Sequence, residues 1–307
     1  MAMGRLHVAP MAAVTDRHFR MFIRSLSPLP TLWTEMTWDH AIVERENTEE
    51  FMGFSDAEQP VVLQLGGSEP TSLAKAAALG VARGYRHINL NCGCPAGTDG
   101  TRRSCYGARL MLDPARVAAC CKAMREAVSD DSVVVSVKCR LGVDGRETYE
   151  DLVSFVRTVS VDGGVSTFIV HARVAMLGLN AAANRTVPPL SYESVYRLAA
   201  EFPHLTIILN GGVQSIEQAA ALIARGVHGV MIGRRAVADP FLFASAGALC
   251  GSGGAASSRR EALETYLAYT VVAQAANWGG GHAATLARAL LALVATCPRA
   301  PLLLIAT

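Results

Sequence analysis

Six places in this sequence put a polar side chain or a glycine pair at the end of a short apolar run. Gln64 closes Val61-Val62-Leu63, and Asn89 and Asn91 lie in His87 to Asn91. Lys138 ends an almost continuous valine run, and His171-Ala172-Arg173 follows Thr167 to Val170. Asn210-Gly211-Gly212 and Gly233-Arg234 follow the last two runs. One strand-end Asn alone is more often a turn former, and one His more often a structural group. Six such ends facing one mouth are not explained by turns. Glycines after the last two runs expose backbone N–H groups, and short helices behind them would add positive N-terminal dipoles, an arrangement that binds phosphate. A cationic Lys138 beside a ring would stabilise negative charge at N1 or O2 of a flavin, and Gln64 can donate and accept along the ring edge. The chemistry of these residues points to FMN, with a phosphate-bearing substrate as the alternative.

The elements that position them alternate. β-branched runs begin at Leu6, Thr31, Val61, His87, Val133, Thr167, Leu205 and Gly229. Helical patterns follow at about 15–26, 70–82, 114–128, 148–159, 192–201, 216–224 and 240–249, with Thr15 as the expected first N-cap. Nearly continuous apolar strands fit a parallel sheet covered by helices. Eight alternations predict a closed (β/α)8 TIM barrel rather than an open doubly wound sheet. No Gly-x-Gly-x-x-Gly follows the first strand, which also counts against the open sheet.

The chain has 307 residues, and a barrel of this kind takes about 250. The expected division is a barrel over 1–250 and a short helical extension over 259–307, after a Gly/Ser/Ala linker. Hydrophobic residues make up 51% and charged residues 18%, which excludes a disordered chain. A net charge of +2 leaves nucleic-acid binding to a local basic patch. Lysine occurs only at 75, 122 and 138, so Lys138 at a strand end stands out. The eight cysteines lack paired zinc spacing and follow no secretory signal, so reduced thiols and no metal are expected. Arginines and prolines interrupt the apolar C-terminal tract, which argues against a membrane span. The barrel begins by about residue 6, leaving no room upstream for a cleaved targeting peptide. The expected compartment is the cytoplasm, with an organelle as the alternative.

An ordered set of segments resembles the tRNA-dihydrouridine synthases, most closely the dihydrouridine synthase A branch. The segments are Ala9-Pro10-Met11 with Thr15-Asp16 and Phe19-Arg20, Thr34-Glu35-Met36, Leu63-Gln64-Leu65-Gly66-Gly67 and Asn89-Leu90-Asn91 with Gly93-Cys94-Pro95. Gly107-Ala108 with Leu110-Met111, Val137-Lys138 with Arg140, His171-Ala172-Arg173 and Asn184-Arg185 follow. Pro188-Pro189-Leu190, Asn210-Gly211-Gly212 and Gly233-Arg234 complete the set, collinear from residue 8 to about 245. The resemblance implies an FMN barrel, reduced by NADPH, that converts uridine in tRNA to 5,6-dihydrouridine. Hydride passes to C6 of the uracil and a cysteine thiol protonates C5. The target base must leave its stack, at a cost of roughly a few kcal/mol. It also implies that Pro10, Met11, Gln64, Lys138, His171, Asn210, Gly211, Gly212, Gly233 and Arg234 hold the FMN. Asn91, Lys138 and His171 would serve the reaction, and Tyr106, Arg109 and Arg185 would touch the RNA.

The sequence departs from that family at the acid. The cysteine of a Gly-Ala-Cys-Leu-Met segment is replaced here by Arg109, and a guanidinium is a very poor proton donor. The loop before it is about two residues longer than the branch pattern and carries Cys105. Three readings stay open: Cys105 supplies the thiol, the chain keeps FMN without efficient uridine reduction, or another donor or water serves. Ala182 stands where the branch tends to carry an RNA-facing lysine, which removes one phosphate contact. The alternatives in function are a catalytically weak flavin- or RNA-binding relative and a flavin barrel acting on a small pyrimidine. The family's C-terminal bundle is represented by two expected helices, 260–277 and 284–296, and an apolar end, Leu302 to Ile305.

Overall fold

The protein, described from a computed structural model over residues 4–95, 106–250 and 258–275, forms one eight-stranded parallel sheet. The strands are β1 (Leu6–Val8), β2 (Leu32–Trp38), β3 (Val61–Gly66), β4 (His87–Asn91), β5 (Val134–Arg140), β6 (Thr167–His171), β7 (Thr206–Asn210) and β8 (Gly229–Ile232). Their spatial order is sequential, with β1 paired to β8. Thr31 donates to Leu6 O at 2.9 Å and accepts from Val8 N at 3.0 Å, so β1 and β2 meet and close the ring. The expected (β/α)8 barrel is the fold.

The outer layer is α1 (Arg17–Leu26), α2 (Asp39–Val43), α3 (Glu49–Met52), α4 (Pro70–Ala82), α5 (Pro114–Val128), α6 (Tyr149–Val161), α7 (Tyr192–Glu201) and α8 (Ile216–Ala224). It continues with α9 (Arg234–Ala238), α10 (Gly247–Cys250) and α11 (Arg259–Ala275). Local chemistry sets these boundaries. Pro70 and Pro114 open α4 and α5 where a missing N–H costs nothing. Thr148 and Asp151 close a reciprocal capping box on α6. Leu63, Leu73, Ile88, Val117 and Phe155 belong to the buried core between strands and helices. A second buried group, Ala9, Trp33, Val62, Ile169, Ile208 and Met231, fills the barrel itself. Residues two apart share a strand face. The positions above that plug are therefore Gln64, Asn91, Lys138, His171 and Asn210, at the C-terminal mouth.

Several boundaries differ from expectation. Asp16, not Thr15, caps α1 by accepting from Phe19 N at 2.8 Å. The Thr15 hydroxyl turns back to the N–H of Met11 at 3.0 Å. β2 and β5 run on to Trp38 and Arg140, where Trp38 pairs with Gly66 of β3 and Arg140 with His171 of β6. The short helices α2 and α3 between β2 and β3 were not expected; at five and four residues they carry no readable periodicity. The pattern at 240–249 is a 3-10 stretch, Pro240–Ser245, followed by the single turn α10. α11 lies on α1. The Tyr266 ring meets Phe22 at 5.2 Å and 62°, and the Tyr269 hydroxyl lies 2.8 Å from His18 Nδ1. The expected helix at 284–296 and the apolar end lie outside the described residues.

Candidate active site

Three cross-strand pairs build the floor of the mouth. Gln64 pairs with Asn89 across β3–β4, Asn91 with Lys138 across β4–β5, and His171 with Asn210 across β6–β7. The amides are joined. Asn91 Nδ2 donates to Gln64 Oε1 at 2.9 Å, and Gln64 Nε2 donates to Asn89 Oδ1 at 2.8 Å. Gln64 and Asn91 are buried, so these bonds sit where water does not compete. Lys138 Nζ donates to Asn210 Oδ1 at 3.2 Å, and Asn210 Nδ2 donates to Met231 O at 2.9 Å.

The rim is strongly positive. Arg140 donates through Nε to Gly93 O at 2.8 Å and through Nη1 to Val174 O and Asn184 O at 3.1 and 3.2 Å. Asn184 in turn ties the loop after β6 through Met176 N, Met176 O and Leu179 O, each at 2.8 Å. Arg173 donates to Pro188 O, and Arg234 Nη2 reaches Arg185 O at 3.4 Å. Burial pushes the Lys138 amine down to about 8, with Arg140 adding repulsion. Burial first, then Lys138, Arg140, Arg173 and Arg234, hold the His171 imidazole well below its usual value. Burial lowers Arg140 to about 10, while Arg173 and Arg185 repel it. The charges that depress His171 are those of the cations Lys138, Arg140, Arg173 and Arg234. A cluster of that kind fits a phosphate dianion.

The glycines are placed for close approach. Gly211 has φ +124°, and a Cβ there would lie 2.8 Å from His171 Cδ2. Gly212 has φ +69°, and its Cβ would meet Leu190 at 2.5 Å. Tyr192 holds this turn by donating its hydroxyl to Gly211 O at 2.6 Å. At Gly233 a Cβ would meet only Ala9 at 3.5 Å and Met11 Sδ at 4.0 Å, so β8 ends directly against the Pro10-Met11 loop. That loop is fixed by Thr15 and, behind it, by the buried Arg20, which donates to Thr15 O at 3.0 Å and pairs with Glu58 at 2.6 Å. The expected short helices follow both glycine turns. α9 has five residues, and α8 starts at Ile216 with its N-terminus capped by Ser215. The side-chain cations Lys138, Arg140, Arg173 and Arg234 stand on the same side.

Tyr106 lies at the opposite wall, edge-on to Trp38 with centroids 4.4 Å apart. Gly107, at φ +61°, packs against Cys94 O, where a Cβ would come within 2.3 Å. Arg109 follows in the 3-10 segment Gly107–Leu112 and is exposed. Cys105 lies outside the described residues. Cys94, Cys120, Cys121 and Cys139 are free thiols. Among the described residues no His/Cys/Asp/Glu group is placed to hold a metal, and no helix is long and apolar enough to cross a membrane.

Sequence reasoning missed Ser136, His87 and Arg140 as contributors. The signal was present: His87, Asn89 and Asn91 alternate along β4, and Ser136, Lys138 and Arg140 along β5. Polar residues with period two on a barrel strand face the interior.

Comparison with known proteins adds a family and relatives. The family Dihydrouridine synthase (Dus) matches residues 7–275. The tRNA-dihydrouridine(20/20a) synthase of Shigella flexneri is 46% identical over 243 residues, which are 79% of this chain and 69% of that protein. The protein of the same name from Escherichia coli K12 is 46% identical over 243 residues, 79% of this chain and 68% of its own. That of Vibrio parahaemolyticus serotype O3:K6 is 43% identical over 298 residues, 96% of this chain and 88% of its own.

Proposed function

The chain belongs to the dihydrouridine synthase family, and on that premise we propose that it reduces uridine in tRNA to 5,6-dihydrouridine with FMN as cofactor and NADPH as reductant. The observation that carries the cofactor reading is the cation cluster of Lys138, Arg140, Arg173 and Arg234 around His171, set beside a floor of linked amides. Cations suit the phosphate and the amides suit a polar ring edge, so the residues present fit FMN. When bound, the reduced flavin would supply hydride to C6 of the uracil.

The chain's own residues divide the remaining work. Lys138 would hold negative charge at the ring, with its charge favoured again once an anion offsets its burial. Gln64 would line the ring edge, and Asn91 would face the uracil. His171, Gly211 and Gly212 would border the phosphate side with Gly233 and Arg234, and Pro10 and Met11 would close the β1 side. Tyr106, Arg109 and Arg185 would touch the RNA. Arg109 is exposed and permanently charged, which suits a phosphate contact and not proton transfer. Cys105 is then the proposed donor of the C5 proton. Its sequence neighbour Tyr106 is anchored at the mouth by Trp38. The reaction is assigned to the cytoplasm, and α11 to the start of a tRNA-gripping extension over 259–307.

The test of the cofactor reading is direct. Purified protein should be yellow and release FMN on denaturation, and its absorbance near the flavin band should bleach on anaerobic addition of NADPH. A colourless protein that FMN cannot reconstitute contradicts the reading.

A further inference from the structure

The amides of the floor continue downward as one hydrogen-bonded chain through the barrel. At its top the direction is fixed, because backbone N–H groups only donate. Asn91 Oδ1 accepts from Gly93 N at 3.0 Å and from Cys94 N at 2.9 Å. Asn91 must therefore present its NH2 to Gln64 Oε1, and Gln64 its NH2 to Asn89 Oδ1. Asn89 Nδ2 then donates to Ser136 Oγ at 2.8 Å. The Ser136 hydroxyl lies 2.6 Å from His87 Nε2. All five side chains are buried. The His87 ring is held edge-on by Trp33 at 5.7 Å, and Trp33 Nε1 donates to His7 Nδ1 at 3.4 Å. Burial, with some repulsion from His7, keeps His87 neutral, its pKa lowered to about 3, so in its Nδ1–H tautomer Nε2 accepts from the Ser136 hydroxyl.

We propose that Ser136, together with His87 and Asn89, is a positioning residue that anchors Gln64 from below in the orientation that Gly93 N and Cys94 N set from above at Asn91, so that both amides present N–H donors at the mouth. This rests on the reading of the mouth as a flavin and uracil site. The chain has one consistent polarity. Reversing Gln64 would bring Nε2 against Asn91 Nδ2 and Oε1 against Asn89 Oδ1. Each NH2 in the chain uses one hydrogen on its neighbour and keeps a second. On Gln64 and Asn91 those second hydrogens are the donors available to acceptor atoms of a ring or a base. Removing the Ser136 hydroxyl strands Asn89 Nδ2 in a buried site, and an amide with no partner on one side gains freedom to turn.

The test uses the full chain, stripped of flavin and titrated with FMN. Wild type, Ser136→Ala, Ser136→Thr and Ser136→Cys are compared by FMN dissociation constant, visible flavin spectrum and thermal unfolding. Ser136→Ala is expected to weaken FMN about tenfold and to shift the flavin absorption maximum. Ser136→Thr, which keeps the hydroxyl, is expected to restore both. Ser136→Cys, with weaker hydrogen bonds at similar volume, should fall between them and serves if the alanine variant does not fold. A folded Ser136→Ala protein with wild-type affinity and spectrum overturns the proposal. So does a folded Ser136→Thr protein that behaves like Ser136→Ala. Wild-type protein that binds no FMN overturns the flavin reading instead, and this proposal with it.

Discussion

Replacing Lys138 by methionine should make the flavin-free protein more stable at neutral pH. Burial lowers the Lys138 amine from 10.5 to about 8 in the folded chain. In the unfolded chain it keeps the ordinary value. Below pH 8 both states carry the charge, and the folded state bears the full cost of burying it. That cost is about 3 kcal/mol at pH 7 as an upper bound, reduced to the extent that water reaches the amine. Between pH 8 and 10.5 the unfolded state binds more protons, so this penalty fades as pH rises and is gone above 10.5. Methionine fills a similar volume without charge but leaves Asn210 Oδ1 without the 3.2 Å donor, at about 1 kcal/mol. The net gain for Lys138→Met is about 2 kcal/mol at pH 7, turning to a small loss near pH 10.5. Urea denaturation of both apoproteins at pH 7 and pH 10 measures it, with FMN binding expected to weaken in the same variant. A variant no more stable at pH 7, or a gain that does not shrink with pH, refutes the charge-burial argument.

Arg20→Ala should destabilise the protein by about 3–5 kcal/mol, because it leaves Glu58 charged and buried with its partner gone; thermal or urea unfolding reads it, and a loss under 1 kcal/mol (about) would show that solvent relieves the pair. Gly211→Ala should weaken FMN binding, since φ +124° is hard for alanine and its Cβ would press on His171 at 2.8 Å; unchanged FMN affinity would reject the close-approach role. Cys105→Ala should abolish dihydrouridine formation while NADPH still bleaches the flavin, and unchanged product would remove Cys105 as the acid.

The barrel was legible because its strands are continuous apolar runs with punctuating glycines and prolines. Val133 to Lys138 and Thr206 to Asn210 need no tertiary knowledge to read. The mouth was legible for the same reason, since strand ends carry the chemistry in this architecture. The short helices α2 and α3 were not, because one turn has no period to detect. Thr15 and Asp16 are both good N-caps, and only the pull of Met11 on the Thr15 hydroxyl decides between them. Ser136 escaped notice because a serine within a valine run looks neutral; its partner Asn89 lies 47 positions away along the chain and adjacent to it only in strand register.

The central claim is uridine reduction in tRNA, and mass spectrometry of digested tRNA tests it most directly. Unmodified tRNA is incubated with the full chain, FMN and NADPH. A uridine is expected to gain the mass of two hydrogens, and none to gain it when NADPH is left out. A protein that holds FMN and is reduced by NADPH, yet leaves every uridine unchanged across the tRNA pool, would contradict it.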